Sequence, residues 1–123
     1  MTIYALSTGA IQSGIAVIRV SGPEAKIVLK KLTHNSLPKP RVAKLEKINK
    51  INENELIDEG IIIWFPAPNS YTGEDMAEFH VHGSPAVIEA IQSSISKIEN
   101  CRLAEPGEFT KIAFQNGKIN LLK

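Results

Sequence analysis

The chain holds a single cysteine, Cys101, in 123 residues. No internal disulfide can form, so stability must come from the core, and a reducing compartment, the cytoplasm, is the expected location. Cys101 itself reads as a small buried hydrophobe, with no sequence neighbour to activate its thiol. No apolar run nears the roughly 18 residues a membrane span needs, and no membrane partner is expected. The N-terminus has no basic stretch leading into a long apolar run, so no secretory signal is read. Charge of one sign is also missing: 14 Lys and Arg meet 13 Asp and Glu, for a formal net charge of +1. That excludes a global field drawing the chain to nucleic acid or a membrane surface. There is no G-x-x-x-x-G-K-[ST] sequence. The segment Thr8-Gly9-Ala10-Ile11-Gln12-Ser13-Gly14 has two glycines but continues with Ile15. Binding of a nucleotide triphosphate by that route is not expected of these residues.

What is present is an ordinary globular composition, 43% hydrophobic and 22% charged, enough for one domain with one core. Ile3 to Ser7 and Ile15 to Val20 read as strands. On the second, Ala16, Ile18 and Val20 share one face, and Ile15, Val17 and Arg19 the other. Ser21-Gly22-Pro23-Glu24 opens a helix, with Ser21 or Gly22 as cap, and Ala25, Val28, Leu29 and Leu32 follow at helical spacing. Arg41 to Ile51 fits a helix by its three-residue spacing. Its β-branched content and the turn at Asn52-Glu53-Asn54 favour the arm of a hairpin. The arms differ in charge: Arg41, Lys44, Lys47 and Lys50 precede the turn, and Glu53, Glu55, Asp58 and Glu59 follow it. Gly60 to Phe65 is continuously apolar, the pattern of a strand buried on both faces. A strand from Met76 to His82 follows, then a helix from Ser84-Pro85 with Ile88, Ile91, Ile95 and Ile98 as its stripe. A short strand at Arg102-Leu103 and a helix over 108–115, stopped by Asn116-Gly117, complete the chain. The expected class is α+β: one domain, a mixed sheet with a hairpin, and about three helices.

The chemistry concentrates in the Met76–His82 strand. Period-two alternation puts Glu78, His80 and His82 on one face. Two imidazoles and a carboxylate could hold zinc, as in a metal-dependent hydrolase. However, ligands in a line, about 6–7 Å apart at Cα, must converge to do so. A histidine beside a carboxylate could also move protons near neutral pH, though no nucleophile motif accompanies it. A lone carboxylate facing a pocket suits a flat heterocycle with two adjacent N–H donors, such as the edge of a pterin. The row could equally be the solvated face of a half-buried strand.

Three segments together narrow these alternatives. They are Ile15-Ala16-Val17-Ile18-Arg19-Val20-Ser21-Gly22-Pro23; Ala67-Pro68-Asn69-Ser70-Tyr71-Thr72-Gly73-Glu74-Asp75 running on to Glu78 and His82-Gly83; and Ala104-Glu105-Pro106-Gly107-Glu108-Phe109-Thr110 with Ala113 to Lys118. In this order they resemble the N-terminal domain of the MnmE (TrmE) tRNA-modification GTPases, over essentially the whole chain. The resemblance implies a folate-binding and homodimerisation domain over 1–118, like the folate-binding domain of glycine-cleavage T-proteins. Residues 119–123 would begin a helical domain. It implies a parent that uses GTP, Mg and K, and that modifies the wobble uridine of tRNA at carbon 5 with the flavoprotein MnmG. The cofactor would be 5-formyltetrahydrofolate or 5,10-methylenetetrahydrofolate. By position, Arg19, Glu78 and Lys118 match the family's folate-contacting residues. His80 then falls to the polar face of the strand, and His82 to the turn after it. The chain departs from the pattern in the loop 8–14, which lacks the family's arginine and prolines, and at Ser84, where a second glycine is usual.

Overall fold

The computed structural model describes residues 1–7 and 14–120. The departures at positions 8–13, and the last three residues of the expected helical-domain start, lie outside the described residues. The order is β1 (Thr2–Ser7), β2 (Ile15–Ser21), α1 (Ala25–Thr33), β3 (Lys44–Asn49), β4 (Leu56–Phe65), β5 (Met76–His82), α2 (Pro85–Ser96), β6 (Cys101–Leu103) and α3 (Glu108–Gln115). The six strands form one sheet in the order β3-β4-β5-β2-β1-β6. Its neighbours run antiparallel except β1 and β6, which are parallel. The α+β expectation and the hairpin of β3 and β4 are therefore observed.

Alternation decides which way each strand faces. Ala16, Ile18, Val20, Ile62, Trp64, Ala77, Phe79 and Val81 point into the core, where Val28, Leu29 and Leu32 of α1 and Ile91 and Ile95 of α2 meet them. Both helices thus cover one face. The other carries Arg19 opposite Glu78, and His80 opposite Ile61 and Val17, and neither α1 nor α2 covers it. This corrects the expectation for Gly60 to Phe65. Gly60, Ile62 and Trp64 are buried, but Ile61, Ile63 and Phe65 are only half-buried. An antiparallel sheet packed on one side leaves its other side open, whatever the hydropathy of the strand.

The start of α1 also differs. Ser21 stays in β2, and Glu24 holds the N-cap position without a side-chain cap bond. Ser21 is otherwise engaged: its hydroxyl donates to Glu74 Oε1 at 2.8 Å and lies 2.8 Å from Thr72 Oγ1. Gly22 cannot cap through a side chain, and its φ of 139° brings the chain against β1. A Cβ there would sit 2.5 Å from Thr2 Oγ1. Thr2 in turn donates to Glu24 Oε1 at 2.7 Å and accepts from the Glu24 N–H at 2.8 Å, which ties the helix entry to β1. Ser84, by contrast, caps α2 as expected, accepting from the Val87 N–H at 3.2 Å. Arg41 lies outside the hairpin arm. Across the turn, Lys50 pairs with Glu55 at 2.9 Å.

Candidate ligand-binding site

The site grows from the register of β2 on β5. Arg19 and Glu78 are Cα partners on the uncovered face, and Arg19 Nε donates to Glu78 Oε2 at 3.1 Å. From the same strand, His80 Nε2 lies 2.8 Å from Glu78 Oε1. The Glu78 side chain is only 14% exposed. The hydrogen bond to His80 is the strongest influence on its carboxyl; burial pushes upward against it, and the Arg19 charge adds to the lowering. The net position is below the ordinary carboxylate range. Glu78 is therefore ionised at neutral pH and can only accept. It follows that His80 Nε2 carries the proton. Each carboxylate oxygen uses one acceptor position on these neighbours and keeps another for a ligand.

The loop between β4 and β5 builds the wall beside Glu78. Thr72 is fully buried. The Ser21 hydroxyl gives its proton to Glu74, so Thr72 must donate to Ser21 while accepting from the Glu74 N–H at 3.2 Å. The Ala67 N–H donates to Asp75 Oδ1 at 2.8 Å, and the Gly73 N–H to Ser70 Oγ at 3.0 Å. Asn116, just past α3, donates to the Thr72 carbonyl at 2.8 Å, and Lys118 Nζ donates to the Pro68 carbonyl at 3.0 Å. Gly73, at φ 85°, permits this docking: a Cβ would stand 3.2 Å from Asn116 Cβ and 3.4 Å from Lys118 Cγ.

Two cavities result. Arg19, Phe65, Tyr71, Met76 and Glu78 line one of about 130 Å³. Arg41, Phe65, Asn69, Ser70, Tyr71 and Lys118 line one of about 330 Å³. They share Phe65 and Tyr71 as lining, so the two cavities are neighbours, with the Glu78 carboxylate in one and two cations in the other. Of the three residues singled out by sequence, Arg19 and Glu78 line the first and Lys118 the second. Sequence reasoning missed the aromatic wall and Arg41, and set His80 aside. The two-residue spacing of Glu78 and His80 was the available signal for the last.

His82 departs from the row. Its backbone N–H donates to Asp58 Oδ2 at 2.9 Å, and its Nδ1 lies 2.9 Å from Asp58 Oδ1. Burial raises the Asp58 carboxyl, but hydrogen bonds from His82 and from the Glu59 backbone outweigh it, and the net shift is downward. Glu78, His80 and His82 thus do not converge. Among the described residues no group of three or more His, Cys, Asp or Glu is placed to hold a metal ion. No helix among them is long and apolar enough to cross a membrane.

Comparison with known proteins identifies the family. Residues 2–118 match the family model described as GTP-binding protein TrmE N-terminus. The whole chain is 74% identical over 123 residues to a tRNA modification GTPase MnmE of Pelagibacter ubique, covering 28% of that protein. It is 51% identical over 122 residues to the MnmE of Agrobacterium fabrum, with 99% of the chain and 27% of the relative covered. It is 49% identical over 120 residues to the mitochondrial 5-taurinomethyluridine-tRNA synthase subunit GTPB3 of Danio rerio, covering 98% of the chain and 24% of that protein. The chain spans about a quarter of the length of these relatives. It belongs to the TrmE N-terminus family, whose members here are the N-terminal parts of tRNA-modification GTPases.

Proposed function

We propose that this chain is the tetrahydrofolate-binding and homodimerisation module of a cytoplasmic tRNA-modification GTPase. With the flavoprotein MnmG, that parent protein modifies the wobble uridine of tRNA at carbon 5, using GTP, Mg and K bound elsewhere in its length. The observation that carries the reading is the ionised Glu78, held by Arg19 and His80 in a cavity walled by Phe65 and Tyr71. A pterin offers two adjacent N–H donors, which a carboxylate accepts as a bidentate pair. Aromatic rings supply flat contact area for a flat heterocycle. When bound, 5-formyltetrahydrofolate or 5,10-methylenetetrahydrofolate supplies the one-carbon unit; the chain's own residues bind and orient the cofactor. Isothermal titration calorimetry with 5-formyltetrahydrofolate tests this. Glu78→Ala should lower affinity at least tenfold with the fold intact by circular dichroism. Unchanged affinity overturns the assignment.

The uncovered sheet face supports homodimerisation. Ile15, Leu45, Ile61 and Ile63 line an apolar depression of about 450 Å³ there, with Ile15 48% and Leu45 60% exposed. A contiguous apolar patch flanked by Glu59, His80 and His82 fits a protein interface. Leu45→Glu should shift the chain toward monomer in sedimentation equilibrium. A wild-type chain that is monomeric at all concentrations contradicts this half of the reading.

A further inference from the structure

Arg41 is the residue that neither the sequence pattern nor the family match brings forward. It stands with φ at 63°, in the left-handed region that side chains with a Cβ rarely adopt. Two contacts hold it there. Its N–H donates to the Trp64 carbonyl at 2.8 Å, and its neighbour Pro40 forms an isolated parallel bridge with Trp64. The backbone is thus fixed against β4, one residue from Phe65. Arg41 lines the same 330 Å³ cavity as Lys118. The remaining lining residues are Phe65, Asn69, Ser70 and Tyr71, so the cavity carries two positive charges and no carboxylate. Among the described residues neither Arg41 nor Lys118 forms a salt bridge, and the Lys118 ammonium is steadied by the Pro68 carbonyl at 3.0 Å. Two cations facing one open cavity without a counter-ion make an anion site: the guanidinium presents a fork of donors, and the ammonium a compact charge.

Position tells which anion. Arg41 lies beside β4, on the side away from β5, because Trp64 also pairs with Ala77 of β5. Glu78 is therefore about two strand spacings away, on the order of 10 Å. Arg41 is remote from a heterocycle seated on Glu78 but suits an extended tail running past Phe65 and Tyr71. We propose that Arg41 and Lys118 together bind the carboxylates of the folate's glutamate tail, and that Arg41 makes the site prefer polyglutamylated over monoglutamylated folate. This rests on the folate reading above. It divides the labour among the cations: Arg19 stays with Glu78 at the ring end, and Arg41 and Lys118 receive the tail.

The test is calorimetry at low salt with 5-formyltetrahydrofolate bearing one or three glutamates, and with a tetrahydropterin lacking the aminobenzoylglutamate. Arg41→Asn removes the charge with a residue that tolerates the left-handed backbone. Arg41→Lys restores a charge without the fork. Wild type should bind the triglutamate about tenfold more tightly than the monoglutamate, and added salt should narrow the gap. Arg41→Asn should erase the preference and leave affinity for the tail-less pterin unchanged, and Arg41→Lys should recover part of it. A preference that survives in Arg41→Asn, or its absence from wild type, overturns the proposal while folate binding stands. If wild type binds neither folate, the folate reading falls, and the tail assignment with it.

Discussion

His80 Nε2 lies 2.8 Å from Glu78 Oε1, so the carboxylate is held by its own strand as well as by Arg19 across the sheet. A side chain clasped from both directions loses little freedom when a ligand arrives. His80 is thus a positioning residue. His80→Ala should weaken 5-formyltetrahydrofolate binding several-fold, and His80→Gln, which can still donate from its amide, should restore most of the loss. Calorimetry of both variants separates this from a packing effect, for which the two substitutions would act alike.

The same geometry makes stability depend on pH. Glu78 is lowered from its ordinary value in the folded state. A depressed carboxyl stabilises the fold fully above its unfolded value, about 4.3, and the contribution disappears as pH falls through the lower folded value. Asp58 and Glu108 are lowered as well and have the same sign. The urea midpoint of wild type should therefore fall between pH 7 and pH 3. Glu78→Gln should start lower at pH 7 and lose less over that range. Parallel curves for the two proteins would contradict the assignment.

What could be read in advance depended on how far apart the interacting residues lie. The strand Met76–His82 and the helix Glu108–Gln115 are local patterns, alternation in one and a turn-to-stop interval in the other, and both were legible. Arg19 and Glu78 were placed on the right faces by parity alone. The entry to α1 was not legible, because Ser21 is claimed by Thr72 and Glu74, more than 50 positions away. Nor was the fate of His82: alternation gives the face of its Cα, but Asp58 at the end of β4 decides where the ring goes. Arg41 read as one more charge on a hairpin arm, since its left-handed turn depends on Trp64.

Ser84 caps α2 through the Val87 N–H. Removing a side-chain cap costs about 1 kcal/mol for alanine and only a few tenths for glycine. Ser84→Ala should lower the denaturation free energy by that amount, and Ser84→Gly should be close to wild type. An alanine variant as stable as wild type would mean that the hydroxyl contributes nothing.

Cys101 should be a slow thiol. Burial, aided by the negative charge of Glu24, pushes its pKa to about 11. At pH 8 only about one thiol in a thousand is ionised, against roughly a quarter for a free cysteine. The higher intrinsic nucleophilicity of a more basic thiolate recovers part of the difference. Alkylation by iodoacetamide at pH 8 should therefore run at least tenfold slower in the native chain than in urea. Glu24→Gln should speed the native reaction modestly by removing the nearby negative charge. Native and unfolded rates that agree would show the thiol to be unshielded at the edge of the core.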